Sequence, residues 1–167
     1  MHLSLVDLFR ARWTERIHDE WIRNLLENRP DLKPEQLSRT RTLMNASVLD
    51  SLVTDYENII DGLNLPDEDD RHVLAAAIRS SSSAIITFNL SDFPEAELTK
   101  YGIEAIHPDD FISAQFDLGP GKVCLAAKRQ RSSLTNPAKT VSEYLETLAK
   151  QRLPKTVSKL REYMDLI

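Results

Sequence analysis

The chain has 167 residues, of which 41% are apolar and 28% charged, and its net charge is −5. That length suits one globular domain with a real core and a small appendage, and the negative balance argues against a general polyanion binder. No apolar run approaches the roughly eighteen residues needed to span a bilayer, no signal peptide opens the chain, and the single Cys124 excludes an internal disulfide, as expected of a reducing cytoplasm.

In chain order, residues 8–13 (LFRARW) alternate apolar and basic side chains and predict a short strand. Thr14 then suits the N-cap of a helix whose apolar stripe is Ile17, Trp21, Ile22, Leu25 and Leu26, with Pro30 beyond its end. His18 falls on that stripe and reads as a hydrogen-bonded core histidine, while Asp19 points outward and can pair with Arg23. Residues 33–46 predict a second helix with Pro34 in its first turn, and residues 48–56 a short strand and its turn. Leu65 and Pro66 lead into four consecutive acids, residues 67–70, and a helix running to about Ser80.

AIITF, residues 84–88, is a continuous apolar run, as in a parallel strand covered on both faces. A second strand at residues 103–107 is stopped by Pro108 and followed by acids. Beyond Phe116 strands give way to helices near 122–131, 139–151 and 155–165, with Thr140 and Glu143 at capping-box spacing. Alternating strands and helices predict an α/β layered domain over residues 1–114, and the remainder, 115–167, a helical extension whose plainest role is packing or dimer contact. Its basic segment LPKTVSKLREYM lacks a helix-turn-helix glycine turn and gives no support to a DNA-binding regulator.

The four acids pose a physical question. Carboxylates at a helix N-terminus gain about 0.3–1 kcal/mol each, but neighbours repel by roughly 3 kcal/mol at ~5 Å and an effective dielectric near 20. Capping and solubility account for one or two of them. Asp70 is followed at helical spacing by Val73, Leu74, Ala77 and Ile78, so it extends the buried stripe and needs a partner or a cation. Asp69 aligns with His72, Val73 and Ala76, a less apolar row, and Asp67 and Glu68 can reach water. Ligands of parallel sheets sit beyond the carboxyl ends of strands, where Thr87, Asn89 and Asp92 fall; Asp92 also reads as a simple turn former. Glu20 lies about 60° from Ile17, at the border of its helix's apolar stripe, which equally suits a solvated flank.

Two basic clusters, Arg10, Arg12 and Arg16, then Lys128, Arg129 and Arg131, read as solvated faces or as phosphate-steering groups. His2, His18, His72 and His107 show no zinc-ligand spacing, and four glycines in the whole chain argue against a nucleotide-binding loop. Cys124, in VCLAA, reads as a small buried apolar residue.

The segments HDEWIRNLL, DDRHVLAAA, ITFNLSDF and GIEAIHPDDF, in that order and at these separations, resemble the PIN-domain family, and within it the VapC-type toxins of bacterial toxin–antitoxin modules. The resemblance covers roughly residues 1–114, and the tail is similar to the helical C-terminal extension of one VapC subgroup. It implies an α/β/α sandwich around a parallel sheet and a metal-dependent endoribonuclease. Carried onto this chain, Glu20, Asp70 and Asp92 match three of the four acids of the PIN pocket, and Thr87 and Asn89 the polar positions beside the last. Asp69 is a further ligand candidate, and Arg10 or Arg12 would hold a phosphate. Oxygen ligands of this kind imply Mg²⁺ or Mn²⁺, with Asp70 and Asp92 on the ion and Glu20 on the attacking water. Implied partners are RNA, a cognate antitoxin and a second copy of the chain, in the cytoplasm and not on a membrane.

The PIN pattern opens with an apolar strand ending in Asp, and that strand and its acid have no counterpart here. Asp7, in LSLVD, is a poor substitute, because Leu8 follows at once and leaves no room for a crossover helix. Two expectations result: a VapC-like ribonuclease, or a catalytically inactive PIN scaffold that pairs with an antitoxin or with itself.

Overall fold

The computed structural model describes residues 3–167, the Leu5 side chain excepted; His2 lies outside them. The architecture is α/β, with a small parallel sheet of two strands and a helical C-terminal part. The chain divides into two compact units, one of residues 10–85 and 89–105, the other of the segment ending at Phe9, Ile86–Phe88 and Ile106–Ile167. Among the described residues no helix is long and apolar enough to cross a membrane.

In the first unit the Thr14 hydroxyl accepts the Ile17 N–H at 3.1 Å and starts α1 (Glu15–Asn28), as its sequence predicts. Pro34 opens α2 (Pro34–Ser47), where the Gln36 side chain accepts the Lys33 N–H. The two helices share a buried polar knot. The Trp13 and Trp21 indoles are pure donors, so Trp21 gives its N–H to His18 Nδ1 (2.9 Å), which leaves the ring proton on Nε2 to bond Asn45 Oδ1 (2.9 Å). Trp13 donates to the same oxygen at 2.7 Å. Asp19 pairs with Arg41 of α2 at 2.8 Å, not with Arg23 on its own helix.

α3 (Glu57–Ile60) and α4 (Arg71–Arg79) follow. Leu74, Ala75, Ala76 and Ala77, which run most of the way round α4, are buried in one core with Val53, Tyr56, Leu65, Phe93, Leu98 and Ile103, and the alanines let neighbouring backbone approach without losing side-chain entropy. β1 (Ala84–Ile86) precedes α5 (Glu95–Leu98) and β2 (Glu104–Ile106). The strands are parallel: Glu104 N–H bonds the Ser83 carbonyl and Thr87 N–H the Ile106 carbonyl. Gly102 turns the chain into β2 at φ 67°, a left-handed conformation that any other residue would adopt under strain.

Three strand expectations are corrected. Residues 8–12 form no strand; Leu8 packs into the helical core and Phe9 meets Phe111 edge-to-face, 4.8 Å between centroids. Pairing survives only as a parallel bridge between Trp13 and Leu52, to which residues 48–56 are also reduced. β1 is not covered on both faces: Ile85 is buried, while Ile86 is 42% exposed. Asp7 ends a short 3-10 turn, Ser4–Val6, in a left-handed conformation, and so terminates no strand.

The second unit is built from α6 (Pro108–Leu118), α7 (Pro120–Ser133), α8 (Val141–Lys150) and α9 (Pro154–Arg161). Pro108 does more than stop a strand: it occupies the first turn of α6, whose Asp109 N–H is accepted by His107 Nδ1 at 3.1 Å. Phe116, Val123, Cys124, Leu145, Leu148, Val157 and Leu160 form the core. The capping box of Thr140 and Glu143 forms as its spacing predicts. α9 has no cap of its own; instead Asp109 of α6 accepts the N–H groups of Lys155 and Thr156, both at 2.8 Å.

Candidate functional site

The four consecutive acids separate by role. Asp67 caps the 3-10 turn Glu68–Asp70 by accepting the Asp69 N–H at 2.9 Å. Glu68 pairs with Arg71 at 2.8 Å. Asp69 is almost fully exposed, with Arg16 3.7 Å away. Asp70, at the start of α4, is half-buried and has no ion-pair partner among the described residues. Burial first, then the charges of Asp67, Asp92, Glu20 and Asp69, push its carboxyl up to about 6. Chain-distant Glu20 and Asp92 therefore both act on Asp70.

Glu20 reaches this region from the border of α1, where its sequence position puts it. Its carboxylate is held on two sides, by Arg16 Nε at 3.2 Å and by His72 Nε2 at 3.0 Å. His72 is fully buried, and burial above all holds its pKa below the ordinary value against the pull of Glu20. That direction favours the neutral ring, in which Nε2–H donates to Glu20, and Nδ1 has no partner among the described residues. The sequence presents Arg16 only as one of a basic cluster, and His72 only as an unlikely zinc ligand. For Arg16 the i,i+4 spacing to Glu20 was a usable signal; for His72, fifty-two residues away, local spacing gave none.

Asp92 lies in a 3-10 turn, Leu90–Asp92, after β1. The Asn89 amide donates to its carboxylate, and the Ser91 hydroxyl donates to Asn89 Oδ1 at 2.9 Å. Asn89 therefore positions Asp92. Thr87, half-buried at the carboxyl end of β1, packs with the helical unit. Arg10 and Arg12 lie in the irregular segment before α1, and neither has an ion-pair partner among the described residues.

The donors are all carboxylate oxygens, the chemistry of Mg²⁺ or Mn²⁺ sites. Yet among the described residues no three His, Cys, Asp or Glu side chains are gathered closely enough to hold an ion between them. The set as it stands fits an ion carried by one or two carboxylates with water completing its shell, as Mg²⁺ prefers. A depression of about 510 Å³ in the same unit, lined by Asp55, Glu57, Asn58, Ile59 and Arg79, includes none of Glu20, Asp69, Asp70 and Asp92.

Residues 108–162 match the family model described as the VapC50 C-terminal domain. The chain is also 36% identical over 106 residues to a protein of Mycobacterium tuberculosis named "Putative ribonuclease VapC50", a stretch covering 64% of this chain and 62% of that one. The chain thus spans less than two thirds of the length of the relative it matches. No solved structure matches it.

Proposed function

We propose that this chain is a VapC-type family member, a metal-dependent endoribonuclease and the toxin of a toxin–antitoxin pair; its sequence matches support that kinship. The observation that carries the reading is Asp70, an acid raised to about 6 by burial and by carboxylates that include Glu20 and Asp92. Such a pocket concentrates negative potential that a divalent cation relieves.

Asp70 and Asp92 would hold the ion, with Asn89 fixing the Asp92 carboxylate. Bound there, Mg²⁺ would neutralise charge on the scissile phosphate and make water easier to deprotonate. Glu20 orients the attacking water and accepts its proton; Arg16 and His72 hold the carboxylate in one place for that task. Asp69, exposed at the rim, is a weaker candidate ligand. Arg10 or Arg12, lacking carboxylate partners, would bind a phosphate of the substrate. RNA as substrate, an antitoxin that masks the site, self-association and residence in the cytoplasm belong to the same proposal.

The test is cleavage of RNA by the purified chain in millimolar Mg²⁺. Cleavage that disappears with EDTA and in Asp70→Asn supports the reading; cleavage unchanged in that variant refutes it. That no three-ligand cluster is gathered among the described residues favours a second reading, a non-catalytic scaffold. It predicts no cleavage and no thermal shift with Mg²⁺ in either protein.

A further inference from the structure

Charge is distributed unevenly along this acidic chain. Residues 1–118 hold eleven Lys or Arg against twenty-two Asp or Glu, whereas residues 119–167 hold ten against four, a local net of +6. Such asymmetry within one chain is a signature of polyanion contact.

α7 concentrates it. Val123, Cys124, Ala126 and Ala127 are buried, and at 100° per residue Lys122, Leu125, Lys128 and Arg129 fall together on the opposite side, within an arc of about 120°. All four are exposed. Lys122 reaches only the Asp7 carbonyl, at 3.5 Å, and Lys128 and Arg129 have no partner among the described residues. Elsewhere in the helical unit Lys155 and Lys159 are occupied by Asp110 and Asp117. The charges on α7 are thus uncompensated, and they extend over about 10 Å of helix.

We propose that this face of α7 docks the sugar–phosphate backbone of single-stranded RNA. The choice of RNA rests on the ribonuclease reading; the presence of a polyanion surface rests on the charges alone. An acidic polypeptide suits the face less well, because helix and groove recognition of a peptide needs several apolar anchors and this face offers Leu125 alone. Phosphates need only spaced, unpaired cations.

The full chain is titrated in EDTA against a fluorescent oligouridine, so that binding is read without cleavage. The triple variant Lys122→Gln, Lys128→Gln, Arg129→Gln is compared with Arg23→Gln, Lys33→Gln, Arg39→Gln, which removes the same charge from exposed positions of the other unit. The α7 triple should raise Kd about tenfold or more and lower the slope of log K against log salt by about 2, while the control stays within twofold of wild type. Equal losses in both triples, no loss in the first, or no RNA binding by the wild type would overturn the proposal. So would a first triple that keeps RNA but loses binding to polyglutamate, which would assign the face to an acidic protein. Failure of the nuclease reading shows separately, as RNA bound normally yet left intact when Mg²⁺ is restored.

Discussion

Asp70 is ionised at neutral pH against the preference of its surroundings. Its folded value of about 6 exceeds the ordinary carboxyl value near 3.9, so its favourable contribution is complete below about pH 4 and disappears as pH rises through 6. Asp70→Asn should therefore stabilise the protein at pH 7.5, on the order of 1 kcal/mol after discounting for solvent screening of a partly exposed group. Thermal melts at pH 7.5 and pH 4 check this: the variant should melt higher at the first and level with wild type at the second. Mg²⁺ should raise the wild-type midpoint and leave the variant's unchanged. His18 makes the opposite case, a buried polar residue that the fold satisfies completely. His18→Leu takes one of two donors from Asn45 Oδ1, which keeps Trp13, and leaves the Trp21 indole without its acceptor, costing about 1–3 kcal/mol in denaturant unfolding. Both residues were legible from helical periodicity. The clamp on Glu20 was only partly so, because the burial of His72 depends on how α1 meets α4.

Among the elements, α9 depends on a residue of α6. Burial alone would raise the Asp109 carboxyl, but the N–H groups of Thr156 and Lys155 outweigh it and hold the group below the ordinary carboxylate range. A depressed value contributes stability above about pH 4 that is lost as pH falls through the folded value. Acid titration of stability should thus be steeper for wild type than for Asp109→Asn below pH 4, and Asp109→Ala should cost about 1–3 kcal/mol at pH 7. Thr140→Ala, which removes an ordinary cap, should cost about 1 kcal/mol by the same measurement. The Thr140 cap was readable because its partner is three residues away. The Asp109 cap was not, since its partners are 46 and 47 residues away. The same distinction explains residues 8–13: their alternation is genuine, but a strand exists only where a neighbour pairs with it, and here just Trp13 finds one.

At the scale of the whole molecule, the α/β pattern and the helical tail were legible from the order of apolar runs and prolines. The division into packing units was not, because residues 86–88 and the segment ending at Phe9 group with a tail far along the chain. Charge segregation was present in the sequence all along, hidden by a modest net value. It has a colloidal consequence: oppositely charged regions of different molecules attract where the net charge vanishes. Light scattering at low ionic strength should peak near the isoelectric pH of about 5.4 and fall as salt is added.

The lone thiol of Cys124 is only 2% exposed, and burial pushes its pKa up. It is consequently silent toward alkylating reagents while the C-terminal helices stay packed, and it reacts when they part. The rate at which a thiol-specific dye attaches to the unmodified chain is therefore a clock for the breathing of that bundle, supplied by nature at a single address and needing no engineered label.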